Sequence, residues 1–433
     1  MADESAAPDP DPTHTAELRL EPVGFIARTD AVMRLGSLML GAGASSARVS
    51  DSMSRAASAV GIEELHSRVG MRDIVSTASR GQMFRTRVAE IRHPAVDADR
   101  LTELKRLTNR LRPGMTAPEL QGELDQIERM PRRHADPLRV LAAALACAAF
   151  ALLNNGGWQE FVAVGIAAGT GQWVRMLVHR LRTNEYLVVF VAATTALLVY
   201  LLVAELFSLL GLPGAQHDAA LTSAVLFLVP GFPLVTGALD LARLDLNSGI
   251  ARVTYAVLIL LATGTAVWGV AAIFDATVTQ TASPLLAEPW LSLMRLAAGF
   301  VGVVGFALLF STPWAIAVAA AALGSLANVG RLALVDAGTM PAVAAAAAAL
   351  AVGLGAYLVG DRLRAARVTL TVPAVLIMVP GAAAYRSIAG VIDGDTLAAI
   401  QNGMQAVFVV VALAIGLTVS RVLTEREWQL PSR

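Results

Sequence analysis

The sequence predicts an all-α integral membrane protein with about ten transmembrane helices, preceded by a small N-terminal cytoplasmic α+β domain. The chain has 433 residues, of which 55% are hydrophobic and only 16% are charged, and its mean hydropathy is +0.60. Soluble domains carry about 25% charged residues, so this composition is typical of a membrane protein. Positive and negative charges balance. We therefore expect no nucleic-acid partner.

The apolar part of the chain predicts the transmembrane helices. Each apolar segment approaches the roughly 20 residues that a helix needs to cross a bilayer. Most arginines near the segment ends fall on one side, and only Arg295, Arg331 and Arg386 fall on the other. The positive-inside rule then places both termini in the cytoplasm. The predicted segments are 138–153, 161–178, 186–208, 219–238, 251–274, 291–310, 313–330, 341–359, 367–388 and 403–423.

The N-terminal part reads as a tail followed by a soluble domain. Residues 1–22 are acidic and proline-rich, which is typical of disorder. Apolar residues at helical spacing predict one helix ending at Gly41 and a second capped by Ser45 or Ser46. The alternation in "MFRTRVAEI" predicts a strand, and "IVSTAS" is a weaker strand candidate. The motif "TAPE" predicts a capping box at Thr116.

A repeated motif divides the membrane part into two halves. "VPG" occurs at 229–231 and again at 379–381, and Asp245 and Asp395 share this offset of 150 residues. Each half has five predicted spans, and an odd number makes the second half enter the membrane from the opposite side. We therefore predict two inverted five-helix repeats. The predicted bounds are 1–22 for the tail, 23–133 for the α+β domain, 134–277 for the first half, 278–424 for the second half and 425–433 for a cytoplasmic tail.

The two "VPG" motifs predict interruptions in the fourth span of each half. Proline removes a backbone donor and clashes with the preceding turn, and freed carbonyls in a membrane must be satisfied by protein or water. Broken helices at matching positions of two halves are typical of a transport site. The alternative is that each proline only kinks a packed helix.

Several motifs resemble the threonine/serine exporter family of bacterial inner-membrane proteins. "RLGSLMLGAGASSARVSDSMSRAASAVG" is similar to the opening helix pair of that family, and "NNGGWQE" and "VPGAAAYRS" are similar to two of its membrane motifs. "VPGFPLVTGALDLARLDLNSGIAR" is similar to "PGxPLxNxxxDxxxGDxxxG", with Thr236 where asparagine is usual. The resemblance implies export of threonine or serine driven by the proton gradient, with both halves in one chain. Some relatives are linked to small organic acids instead.

Candidate site residues follow from the interruptions, the resemblance and the polar groups within spans. A zwitterionic amino acid needs donors for its carboxylate and acceptors for its ammonium group, which helix ends, unwound carbonyls and polar side chains can supply. Asp240 is the first candidate for proton coupling and Asp245 the second, unless each is a loop carboxylate paired with Arg243 or Arg252. The substrate-binding candidates are Pro230, Gly231, Pro233, Thr236, Asn328, Pro380, Gly381, Tyr385 and Arg386.

The sequence disfavours enzymatic and metal chemistry. It has no G-x-x-x-x-G-K-[ST] motif, its six histidines are scattered, and Cys147 is its single cysteine. We therefore predict no catalytic residue, metal or cofactor. Beside a secondary active exporter, the sequence leaves open a dicarboxylate exporter, a passive channel, and a membrane enzyme using residues 24–130. The expected partners are amino-acid cargo, protons and the lipid bilayer, and a homo-oligomer is possible.

Overall fold

The computed structural model describes residues 12–91, 95–212, 217–274, 286–392 and 394–425. The chain divides into two compact units. The first contains the described residues up to Ala95 together with Glu103–Met130, and the second contains Val96–Thr102 and the described residues from Pro131 onward. The domain bounds given above from the sequence remain a prediction. Residues 1–11 of the predicted tail and 426–433 of the C-terminal tail lie outside the described residues, and a helix already includes residues 12–22.

The first 130 residues form four helices and one three-stranded antiparallel sheet in the order β1-β2-β3. In β2 the side chains alternate, with Ile74, Ser76 and Ala78 buried, as expected of a sheet with one covered face. Gly81, with a φ of 57°, makes the tight turn between β2 and β3. The elements are α1 (Pro12–Gly41), α2 (Ser46–Ala59), β1 (Glu64–Val69), β2 (Asp73–Arg80), β3 (Met83–Glu90), α3 (Ala98–Arg110) and α4 (Ala117–Glu128).

The local sequence signals in this region are mostly confirmed. The end of α1 at Gly41, both predicted strands and the capping box are present. Thr116 N donates to Glu119 Oε2 at 2.9 Å, and Glu119 N donates to Thr116 Oγ1 at 3.4 Å. Ser45 occupies the N-cap position of α2 without a side-chain cap bond. β1 was not predicted, because only Leu65 and Val69 of its six residues are apolar.

In the part of the second unit that the structure describes, eight helices are long and apolar enough to cross a membrane. Ten spans were predicted, with interruptions in the fourth and the ninth, and among the described residues these two are pairs of short helices. The long helices are α5 (Asp136–Leu153), α6 (Trp158–His179), α7 (Glu185–Leu209), α10 (Leu246–Ile273), α11 (Trp290–Leu309), α12 (Trp314–Asp336), α13 (Pro341–Gly360) and α16 (Thr396–Thr424). The short helices are α8 (His217–Ala224), α9 (Gly231–Ala242), α14 (Arg367–Leu376) and α15 (Gly381–Ile392).

The outer surfaces of the long helices are strongly apolar. On α16, Phe408, Val411 and Ile415 are each about half exposed, whereas Leu413 and Leu417 are buried against neighbouring helices. A helix that is apolar on its exposed face as well as its packed face is typical of a membrane span, because lipid replaces water around it. The chain is therefore a multi-pass helical membrane protein.

The two interruptions have the same backbone structure. At the first break, a 3-10 turn (Leu226–Leu228) follows α8, and Pro230 precedes α9. Three hydrogen bonds follow, Val229 N to Leu226 O at 3.0 Å, Gly231 N to Val229 O at 2.8 Å and Leu234 N to Pro230 O at 3.0 Å. At the second break the matching bonds, each 150 residues later, measure 3.1, 2.8 and 3.0 Å. Both predicted interruptions are confirmed.

The segments after the breaks also match. Asp245 caps α10 by accepting from Ser248 N at 3.5 Å, and Asp395 caps α16 by accepting from Ala398 N at 3.0 Å. The residues just before these caps, Leu244 and Gly394, both have a positive φ, of 63° and 77°. The two halves thus build the same break, short helix, turn and capped long helix.

Packing between the halves is reciprocal. The first helices of the two halves, α5 and α11, pack against each other. The short helix α9 packs on α14 and α16, and its counterpart α15 packs on α8 and α10. The short helix after each break therefore contacts elements of the other half.

Candidate functional site

The two breaks contact each other through a reciprocal pair of glycine and leucine residues. A Cβ added at Gly231 would overlap Leu376 Cδ1, and a Cβ added at Gly381 would lie 3.2 Å from Leu226 Cδ1. Leu226 and Leu376 lie the same number of residues before their own breaks. The leucine of each half therefore contacts the glycine of the other half. Such exchange is characteristic of two-fold related surfaces. Glycine lets the backbone of each half approach the other closely at this point.

A small cavity lies beside this contact and is lined by both breaks. Its volume is about 40 Å³, enough for about three water molecules. Thr222, Thr263 and Tyr385 are its hydroxyl-bearing lining residues, and no described lining residue is charged. The lining residues are Thr222, Val225, Leu226, Val229, Leu260, Thr263, Gly264, Val267, Gly381, Ala384, Tyr385 and Ile388.

The predicted coupling residue Asp240 forms a buried ion pair. Its Oδ2 lies 3.3 Å from Arg252 Nε, and the two side chains are only 1% and 7% exposed. Arg252 Nη1 also donates to Thr236 Oγ1 at 3.2 Å, so the pair joins α9 to α10. Removing one member of such a pair leaves an uncompensated buried charge, which is strongly destabilising. Asp240 is thus neither a solvated loop residue nor free to act without moving Arg252.

The second coupling candidate, Asp245, is the N-cap of α10. The residue is half-buried, and its carboxylate accepts a hydrogen bond from the backbone amide of Ser248. Asp395 does the same for α16 in the second half. This cap accounts for Asp245 structurally, and its coupling role stays a prediction.

The structure brings together only some of the predicted substrate-binding residues. Gly381 and Tyr385 line the cavity, and Gly231 contacts the opposite break. Thr236 is fully buried, but its hydroxyl donates to the carbonyl oxygen of Phe232 at 2.8 Å and accepts from Arg252. The remaining candidates are outside the described cavity lining: Pro230, Pro233 and Pro380 shape the breaks, Arg386 is half-buried on α15, and Asn328 is buried on α12.

Sequence reasoning missed three residues that matter to this geometry and misplaced a fourth, Arg252, whose pairing with Asp240 it did consider. Leu226 and Leu376 share the 150-residue offset of the "VPG" motifs, and this offset could have revealed them. Thr263 lines the cavity from the middle of α10, where it reads as an ordinary small polar residue. Arg252 was considered only as a loop partner of Asp240, although it is a buried residue of a long apolar helix.

Comparison with known families accounts for nearly all of the helical part of the chain. A threonine/serine exporter family model matches residues 30–274, and a second one, described as "Threonine/Serine exporter, ThrE", matches residues 295–423. The chain belongs to the threonine/serine exporter family. The family models cover the candidate site as well as the first unit, which confirms the resemblance stated from the motifs.

The curated relatives of this chain carry two different names. The "Threonine/serine exporter" of Corynebacterium glutamicum is 27% identical over 97% of this chain and 87% of that protein. The "Probable succinate transporter subunit YjjP" of Escherichia coli K12 is 28% identical over 54% of this chain and 90% of that protein. Its namesake from Klebsiella aerogenes is 30% identical over 51% of this chain and 84% of that protein. No solved structure matches the chain.

Proposed function

We propose that this family member is a secondary active exporter of small amino acids, threonine or serine, working by alternating access around the cavity between the breaks. The reciprocal packing of Gly231 on Leu376 and of Gly381 on Leu226 carries this proposal. It is what a two-fold axis through the contact would produce. Because each half comprises five apolar segments, that axis would lie in the membrane plane, as in inverted-repeat transporters.

In such a cycle the cargo would bind in the cavity between the breaks. Its hydroxyl groups both donate and accept hydrogen bonds, so they can serve the carboxylate and the ammonium group of a zwitterion. A zwitterion is neutral overall and needs no charged partner in the lining. Rocking of the two halves about the glycine contacts would open the cavity to each side in turn.

Proton coupling is proposed to act through Asp240. Protonation of this carboxylate would remove the charge that balances Arg252 and would weaken the link between α9 and α10. Since α9 follows the first break directly, movement of α9 would change the cavity. Proton entry would in this way drive cargo out against its gradient.

A second candidate cargo is a dicarboxylate. It is favoured by the two relatives named as probable succinate transporter subunits. Succinate carries two negative charges at neutral pH, and the described residues of the cavity lining include no positively charged side chain. The cavity itself therefore favours an amino acid.

Proteoliposomes containing the full chain test these proposals. Vesicles loaded with unlabelled threonine should exchange it for labelled threonine with saturation, and an imposed pH gradient should drive net export. Serine and succinate are tested in parallel. Flux that is unsaturable and blind to the pH gradient would indicate a channel, and exchange of succinate alone would indicate the second candidate cargo.

A further inference from the structure

We propose that Asn328, Arg295 and Arg331 form a carboxylate-binding subsite between α11 and α12, beside the second break. The proposal rests on the proposed transport function and narrows it, because it requires every cargo to carry a carboxylate. The subsite is separate from the cavity, whose described lining includes none of these three residues.

The amide of Asn328 has a fixed orientation and an unused donor. Asn328 is fully buried, and its Oδ1 accepts from Arg331 Nε at 2.9 Å. A guanidinium group only donates, so the amide oxygen must face Arg331 and the amide nitrogen must face the other way. Among the described residues, Asn328 Nδ2 has no hydrogen-bond partner. A buried donor left unpaired is unfavourable, and a ligand oxygen would satisfy it.

Positive charge is concentrated around this amide. Arg295 is 6% exposed, its Nη1 bonds Asp336, and its Nε has no partner among the described residues. The charge of Arg295 also acts on Arg331. The carboxylate of Asp336, the ion-pair partner of Arg295, is 53% exposed, so solvent screens its negative charge. This arrangement attracts an anion.

Packing places the cluster next to the second break. A Cβ at Gly299 would lie 3.2 Å from Ser325 Cβ and 3.7 Å from Cδ1 of Ile377, the residue that ends α14. Arg295 is one helical turn from Gly299, and Asn328 is one turn from Ser325. Both therefore approach the break from adjacent helices.

The first half uses its matching arginine differently. Arg175 precedes Arg331 by 156 residues, the same offset that separates Trp158 from Trp314 at the starts of α6 and α12. Arg175 Nη1 donates to the Phe227 carbonyl at the first break, at 3.5 Å. Arg331 donates to Asn328 instead. The two halves thus differ here: Arg175 bonds a backbone carbonyl, whereas Arg331 orients the amide of Asn328.

A carboxylate is the ligand chemistry that this arrangement recognises. Its two oxygens can accept from Asn328 Nδ2 and from a guanidinium group at once, and such charge-assisted bonds are strong. Threonine and succinate both carry a carboxylate, whereas threoninol, the corresponding amino alcohol, does not.

Binding to the purified full chain in detergent tests the subsite without requiring flux. Isothermal titration is carried out with L-threonine, succinate and threoninol on the wild type and on Asn328→Asp. The aspartate keeps the shape and can pair with Arg331, but it replaces the donor by a negative charge. We expect Asn328→Asp to weaken the binding of L-threonine and succinate about tenfold to a hundredfold. Threoninol should bind measurably to neither the wild type nor the variant. Arg180→Gln removes an exposed arginine elsewhere and should leave binding unchanged.

Three outcomes would overturn the proposal. The first is unchanged carboxylate binding by Asn328→Asp or, if that variant does not fold, by Arg331→Gln. The second is threoninol binding as tightly as threonine. The third is stabilisation by phosphatidylglycerol nanodiscs that Asn328→Asp abolishes, with no response to threonine or succinate, which would assign the subsite to a lipid phosphate. If Asn328→Asp loses carboxylate binding but the wild-type protein shows no flux in proteoliposomes, the subsite stands and only the transport proposal is refuted.

Discussion

Substitution of Gly231 by alanine tests the contact between the two breaks. The new methyl group would overlap Leu376 Cδ1, and Leu376 is only 3% exposed, so its side chain has little room to move. Overpacking of this kind costs about 1–3 kcal/mol. Gly231 is the first residue of α9 and its φ is not in the left-handed region, so alanine adds no backbone strain and regains about 0.4–1 kcal/mol. We expect a net loss of ~1–2 kcal/mol.

A double variant separates this contact from other effects. Leu376→Ala alone should cost about 2–5 kcal/mol, because it leaves a cavity in a well-packed region. In Gly231→Ala/Leu376→Ala the new methyl group enters the space that the leucine vacated. The two substitutions should therefore be non-additive by ~1 kcal/mol or more in the favourable direction.

The matched control is Gly381→Ala. Its new Cβ would lie 3.2 Å from Leu226 Cδ1 without overlapping it, so a small shift suffices. The assays are thermal unfolding of the purified full chain and threonine counterflow in proteoliposomes. Gly231→Ala should melt a few degrees lower and exchange threonine more slowly than Gly381→Ala. Adding Leu376→Ala to Gly231→Ala should restore part of the exchange. Equal effects of the two glycine variants, or an additive double variant, would refute the reasoning.

Three further predictions concern single residues. Asp240→Asn leaves the charge of Arg252 uncompensated and should lower the melting temperature. The folded variant should lose proton-driven export while keeping threonine exchange, and a wild-type pH dependence in this variant would remove Asp240 from the coupling role. Burial raises the pKa of Asp97, so the folded protein holds this proton more tightly than the unfolded chain, and stability falls as pH rises from the ordinary carboxyl range to the raised value. Asp97→Asn, which can still cap the Arg100 amide, should flatten that part of a melting-temperature profile against pH; a wild-type slope would contradict this. Thr116→Ala should cost ~1 kcal/mol and speed amide hydrogen exchange at the start of α4, whereas unchanged protection there would show that the capping box is not needed.

The sequence predicted well wherever structure depends on neighbours along the chain. The capping box at Thr116, the strand at 83–90 and the breaks at Pro230 and Pro380 are all encoded by a few adjacent residues. Proline and glycine act directly on their own backbone, so their effect can be predicted without knowing what packs nearby. The edge strand β1 was not predicted, because Ser67 stands between Leu65 and Val69 on its inner face and its pairing with β2 defines it.

Only the tertiary structure decided which residues meet. Tyr385 lines the cavity while Thr236, at an equally promising position after the first break, faces Arg252. Leu226 and Leu376 became part of the site only through contacts with glycines about 150 residues away. Helix rotation and close approach are fixed by many weak packing contacts between distant segments, and no short stretch of sequence contains that information.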